Sequence, residues 1–157
     1  MNNIKAVIFD WGRTLWDNDI NQLDHGAKEV LDYCFSKYKL GLVSIATHES
    51  AEQRHQKITN LGFDKYFSDI EIIGAADVEA EGKDHLLEKV AKNLGVAHQS
   101  IAIVGDRVFR EIQWGNQHGC VTIWLQKGKF ANELPNAETG EPTHVIHELK
   151  ELRSILK

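Results

Sequence analysis

Two carboxylates in this chain stand where an apolar run stops, and a third follows shortly after the second. Val7, Ile8 and Phe9 lead into Asp10, while Ile101 to Val104 lead through Gly105 into Asp106, with Glu111 shortly after. A third apolar run, Leu40 to Ala46, contains Ser44 and is followed at once by Thr47. Carboxylates gathered at one edge repel each other and raise one another's pKa unless a cation offsets them. A hard divalent ion with oxygen ligands suits such a donor set, Mg2+ in particular. The chemistry to look for is therefore metal-assisted and anionic, provided that the elements carrying Asp10, Asp106 and Glu111 bring them to one place.

Those elements can be read from hydrophobic periodicity. Residues 4–9, 40–46, 70–73, 101–104 and 120–125 are short apolar runs with strand character, and their continuous hydrophobicity implies burial on both faces. Residues 24–38 place Ala27, Val30, Leu31, Cys34, Phe35 and Tyr38 at helical spacing, and residues 84–94 do so with Leu86, Leu87, Val90, Ala91 and Leu94. Gly62, Gly95 and Gly119 each follow a helical run and precede an apolar residue, as left-handed C-terminal caps do. The fold class expected is α/β: a doubly wound, Rossmann-like parallel sheet of about five strands flanked by helices, without a cap domain. The tail, from Thr143 onward, reads as a short edge strand and a closing helix. In such a sheet ligands bind at the carboxyl ends of the strands, where Asp10, Ser44 and Asp106 fall.

The bulk composition narrows the function classes. At 157 residues, 42% hydrophobic and 26% charged, the chain is expected to form a single domain over 1–157. A formal charge of -5 without a Lys/Arg stripe argues against nucleic acid as a partner. Cys34 and Cys120 are far apart and outside any zinc-ligand spacing, and the eight histidines show none either; His48 and His55 are expected on a solvated helix face. Neither a signal-peptide core nor a membrane-length apolar run is present, so a cytoplasmic location is expected.

With the motifs in view, the sequence resembles the haloacid dehalogenase superfamily across nearly its whole length. The stretch "FDWGRTL", with Asp10 and Thr14, is similar to the first family motif, Ser44 in "KLGLVSIA" to the second, Lys83 in "EGKDHLLEKV" to the third and "IVGDRVFRE" to the fourth. The segment "EIQWGNQHGCVTIWLQKGKFA" also resembles the stretch after the fourth motif in relatives. The resemblance implies a Mg2+-dependent hydrolase of phosphate monoesters in which Asp10 is the nucleophile of an aspartyl-phosphate. It assigns phosphate binding to Ser44, Lys83 and the backbone N–H groups after Asp10, beginning at Trp11. Metal binding would fall to Asp10, the carbonyl of Gly12, Asp106 and Glu111. Thr47 competes with Ser44 for the hydroxyl role.

The chain departs from the family pattern at Gly12, where phosphatases of this kind carry an aspartate that serves as general acid and base. A positioned acid–base group contributes about 10²- to 10⁴-fold, so Gly12 implies weakened turnover unless Asp17 or Asp19 substitutes. A module that binds phosphate or a phosphoprotein with little turnover is the alternative expectation. Carbon–halogen cleavage would not need the acids Asp106 and Glu111. The short connections leave no room for a cap, which implies an open site, a phosphorylated and even macromolecular substrate, no membrane partner, and scope for oligomers that close the site in trans.

Overall fold

The computed structural model describes residues 3–157, and the side chains of all of these except 78–81. Its centre is β1 (Ala6–Asp10), every residue of which is buried. Side chains alternate along a strand, so Val7 and Phe9 pack into a core on one face while Ala6 and Ile8 pack into a second core on the other. This two-sided burial is what the uninterrupted apolar run requires.

Five more strands join β1 in one sheet. These are β4 (Lys39–Ala46), β5 (Asp69–Gly74), β6 (Ile101–Gly105), β7 (Val121–Leu125) and β8 (His144–Ile146). The order is β5-β4-β1-β6-β7-β8, and every pairing is parallel. The sheet thus has six strands rather than about five, the sixth being the edge strand of the tail. The remaining pair, β2 (Trp16–Asp17) and β3 (Gln22–Leu23), forms a small antiparallel hairpin in the connection after Asp10. Two-residue strands carry no periodicity, which is why the sequence did not disclose them.

The helices α1 (Ala27–Phe35), α2 (Ala51–Asn60) and α5 (Leu152–Ile155) serve the first core, through Val30, Leu31, Cys34, Ile58 and Leu152. The helices α3 (Val78–Leu94) and α4 (Gln113–His118) serve the second, through Leu86, Leu87, Val90, Leu94 and Trp114. Phe35, expected on the buried stripe of α1, is instead 55% exposed, with its edge against Tyr66. Gly62, Gly95 and Gly119 all have positive φ. No separate cap domain is visible among the described residues, and no helix of theirs is long and apolar enough to cross a membrane.

Strand order reverses at β1: the chain moves outward through β4 and β5, then returns to β6 on the other side of β1. The register pairs Phe9 with Val104 and Asp10 with Val43. Asp10 and the residues just after Val104 therefore sit side by side at the carboxyl edge, at the switch point where open α/β sheets bind ligands.

Candidate active site

One ligand atom from each of Asp10, Asp106 and Glu111 lies within 4.8 Å of the others, and all three side chains are buried. Different devices place each of them. Asp10 is held by the sheet behind it. Asp106 comes directly after β6, and its carbonyl accepts a hydrogen bond from Trp124 Nε1 of the neighbouring strand at 3.1 Å. Glu111 is turned inward by a π-helical turn, Val108–Ile112, whose extra residue per turn offsets it from an α-helical position. Its side chain then lies flat over Gly105, where a Cβ would come within 2.8 Å of Glu111 Oε2.

Lys83 enters from the opposite side. Gly82, at φ 70° and ψ 161°, breaks α3, so that Lys83 opens the straight portion of the helix. Backbone of that shape suits glycine alone. The Lys83 ammonium is 2.7 Å from Asp10 Oδ1 and also pairs with Glu111. Burial works against the lysine's charge, yet Asp10 and Glu111 outweigh it and hold the pKa above the usual lysine value. Asp106 forms no ion pair among the described residues, and Lys83 opposes the rise of its pKa only in part. Burial, with Asp10 and Glu111 alongside, pushes its carboxyl up to about 9, and its Oδ2 has no hydrogen-bond partner. Burial likewise raises Glu111 although Lys83 opposes this, and Glu111 Oε2 is also without a hydrogen bond.

Buried polar atoms normally find partners, so orphaned oxygens call for an explanation. Fully ionised, three carboxylates against one ammonium would leave two negative charges in excess. An oxygen-loving divalent cation supplies both the missing charge and the missing partner, so the donor set fits such an ion.

Above these groups lies a cleft of about 410 Å³, with Asp10, Lys83 and Asp106 in its wall alongside Gly12, Thr47 and Arg54. A HAD-hydrolase-like family profile matches residues 81–152, the part of the chain that holds Lys83, Asp106 and Glu111. The chain is 28% identical over 120 residues to a glyceraldehyde 3-phosphate phosphatase of Methanopyrus kandleri, covering 76% of this chain and 50% of that protein. Both matches are to proteins of the haloacid dehalogenase-like kind. The chain spans about half the length of the curated relatives it matches. Among solved structures it shares its fold with the magnesium-bound HAD-hydrolase YfnB from Bacillus subtilis, at TM-score 0.76 and 16% identity, covering 99% of both chains. A HAD phosphatase from Thermococcus onnurineus superposes at TM-score 0.63 with 24% identity, over 86% of this chain and 58% of that one.

The remaining expected residues occupy unequal positions. Thr14 Oγ1 donates to Asp10 Oδ2 at 3.5 Å. Ser44 is fully buried, and its hydroxyl accepts a hydrogen bond of 2.8 Å from Arg54 Nη1. The Arg54 guanidinium, also tied to Glu49 at 2.6 Å, lines the cleft as Thr47 does, whereas Ser44 lies behind it. The Trp11 side chain belongs to the core: it stacks on Trp16 and does not line the cleft, while its carbonyl gathers the N–H groups of Leu15 and Trp16. Gly12 lines the cleft, and a Cβ there would meet nothing within 4 Å. Asp17 and Asp19 are not part of the cleft wall; Asp17 caps the hairpin turn through the N–H of Asp19. His48 is in the loop after β4 and lines the cleft rather than a helix face, while His55 is exposed on α2.

Sequence reasoning missed Arg54, Trp124 and Gly105. Arg54 sits on the outer part of a helix with ordinary polar composition, so no local pattern marks it. Gly105 could have been noticed as the small residue preceding Asp106, but its use depends on where Glu111 folds.

Proposed function

We propose that the chain is a Mg2+-dependent hydrolase of phosphate monoesters that works through an aspartyl-phosphate at Asp10. The observation that carries this is the meeting of Asp10, Asp106 and Glu111 within 4.8 Å, with Lys83 as their only buried ammonium among the described residues, at the floor of a cleft on the sheet's switch point. The glyceraldehyde 3-phosphate phosphatase relatives support the same reaction class.

Asp10, Asp106 and Glu111 would hold the ion, with the carbonyl of Gly12. When bound, the ion supplies positive charge to the phosphoryl oxygens and keeps the carboxylates ionised. The protein's own groups do the rest. Lys83 and Thr14 restrict rotation of the Asp10 carboxylate, so that one of its oxygens faces the cleft. That oxygen attacks phosphorus, forming an acyl-phosphate bond as the ester P–O bond breaks and its electron pair leaves with the alcohol oxygen. Lys83 and Arg54 lie where charge gathers on the equatorial oxygens, with Ser44 acting as a positioning residue for Arg54. Water then attacks phosphorus of the aspartyl-phosphate, releasing inorganic phosphate and restoring Asp10. No side chain at Gly12 protonates the leaving oxygen, so this account requires good leaving groups to react fastest. The absence of a separate cap among the described residues leaves the cleft open to large phosphorylated substrates.

The space over Gly12 also favours a second reading, a phosphate-binding module with little turnover. One experiment separates the two. The protein is supplied with 4-nitrophenyl phosphate in Mg2+ or in EDTA, and separately with beryllium fluoride as a phosphoryl mimic. The hydrolase reading expects phosphate release that needs Mg2+ and falls about 10³-fold or more in Asp10→Asn. Tight fluoride-complex binding without release would favour the module. Release that survives Asp10→Asn would overturn the mechanism.

A further inference from the structure

The floor and the mouth of the cleft carry different charges. At the floor, Asp10, Lys83 and Asp106 are between 2% and 7% exposed, and the ammonium is already matched by carboxylates. The mouth is basic, in a protein whose net charge is -5. It receives Arg107 and Arg110 from the loop and π-turn after β6, Lys129 from the turn Gly128–Phe130 after β7, and Arg13 from the loop after β1.

Two of these cations have no counter-charge among the described residues. Arg107 donates through Nε to both carboxylate oxygens of Glu133 and lies 3.9 Å from the centre of the Phe130 ring. Arg13 approaches Asp19 at 3.4 Å. Arg110 and Lys129, in contrast, pair with no carboxylate among the described residues. Arg110 is half-buried at the cleft wall, directly beside Glu111, which points the other way into the floor. Arg13 is held at φ 60°, a left-handed conformation that strains a non-glycine residue. Its guanidinium Nη1 is 3.9 Å from where a Cβ on Gly128 would stand, beside the turn that carries Lys129. Three loops from three strands thus converge on one basic mouth.

A phosphoryl group undergoing attack by Asp10 must lie on the floor, so the mouth meets whatever the phosphate is attached to. We infer that the preferred substrate is a phosphate monoester whose alcohol portion carries a second anionic group, a carboxylate or another phosphate, recognised by Arg110 and Lys129 with Arg13 beside them. This rests on the hydrolase reading above and narrows its substrate class. It also separates this chain from its relatives, since glyceraldehyde 3-phosphate has only one anionic group. Basic groups in a cleft with low-dielectric walls concentrate such ligands and orient them before chemistry.

Two matched pairs of probes test the inference. Glycerol 3-phosphate and 3-phosphoglycerate differ by a hydroxymethyl against a carboxylate, and fructose 6-phosphate and fructose 1,6-bisphosphate differ by one phosphate. The kcat/KM ratio within each pair is measured for the wild type, Arg110→Gln and Lys129→Gln, all with Mg2+. The expected ratio favours the doubly anionic member by about tenfold or more in at least one pair, which also identifies the anion. It should move towards one in both variants. Lys129 is exposed, so its variant keeps the test valid if Arg110→Gln folds poorly. Turnover of all four compounds with ratios near one would overturn the inference while leaving the hydrolase reading intact. If none is turned over, the hydrolase reading is decided by 4-nitrophenyl phosphate alone, and the inference by binding. The same pairs are then titrated calorimetrically into wild-type protein, where equal affinities or no binding would overturn the inference and a preference lost in Lys129→Gln would uphold it.

Discussion

Gly12 and Asp106 are the residues on which the chemistry is most sensitive. Gly12 has neither a positive φ nor a neighbour within 4 Å of its missing Cβ, so its glycine is not demanded by backbone or packing. Gly12→Asp should therefore fold, and it should raise kcat/KM for alkyl phosphates towards the 10²- to 10⁴-fold typical of a positioned acid, with a much smaller gain for aryl phosphates. A series of esters graded by leaving-group pKa would show this; equal rates for alkyl and aryl esters in the wild type, with phosphoryl transfer limiting both, would mean that another acid is present. Asp106 makes a prediction about pH in the metal-free protein. Its carboxyl titrates at about 9 when folded against an ordinary 3.8, so between those values the folded state binds a proton that the unfolded state has lost. Stability in EDTA is greatest at the acid end of that window and falls as pH rises through it, by up to about 1.4 kcal/mol per unit. Melting in EDTA from pH 5 to 9 should show a steeper decline for the wild type than for Asp106→Asn, and parallel curves would refute the assignment.

At the scale of the elements, the site depends on two interruptions of regular structure: the π-turn that rotates Glu111 inward and the Gly82 break that starts the straight part of α3 at Lys83. The π-turn needs Gly105 beneath it. Gly105→Ala would set a Cβ 2.8–3.0 Å from the Glu111 carboxylate and Cγ, and should cost about 1–3 kcal/mol by overpacking. Because the atoms that must move belong to a proposed ligand, the thermal shift produced by Mg2+ should shrink in this variant as well. A Mg2+ response equal to the wild type's would show that Glu111 is not required for the ion. These elements also explain what could be read in advance. Asp10 and Asp106 were legible because a strand buried on both faces reads as an unbroken apolar run, and an acid at its end has only the sheet edge to go to. Lys83 was indicated by family resemblance, not by its helix, whose periodic pattern gives no reason for a buried lysine. Arg54, Arg110 and Lys129 were not legible as a group, since each belongs to a different connection and only the sheet order brings those connections together. The β2–β3 hairpin escaped for a simpler reason, being too short to show alternation.

For the molecule as a whole, a parallel sheet with a core on each face fixes the strand ends rigidly, and the loops above them differ in what they offer. The β1 and β6 ends supply acids at the floor, α3 supplies the balancing ammonium, and the connections after β1, β6 and β7 supply the basic mouth. An ion bound only by the native state stabilises by mass action, and here it would also relieve the excess charge among Asp10, Asp106 and Glu111. Millimolar Mg2+ should accordingly raise the melting temperature, and indifference to it would count against the ion site. The central claim is more specific than metal binding: phosphorus is transferred first to Asp10 and then to water. Each in-line displacement inverts phosphorus, so two in succession restore its configuration. The decisive measurement is the stereochemical course of turnover, using an aryl ester of thiophosphate made chiral with oxygen isotopes and hydrolysed in isotopically labelled water. Retention of configuration is the predicted result; inversion would mean that water attacks the substrate directly, and would contradict the account.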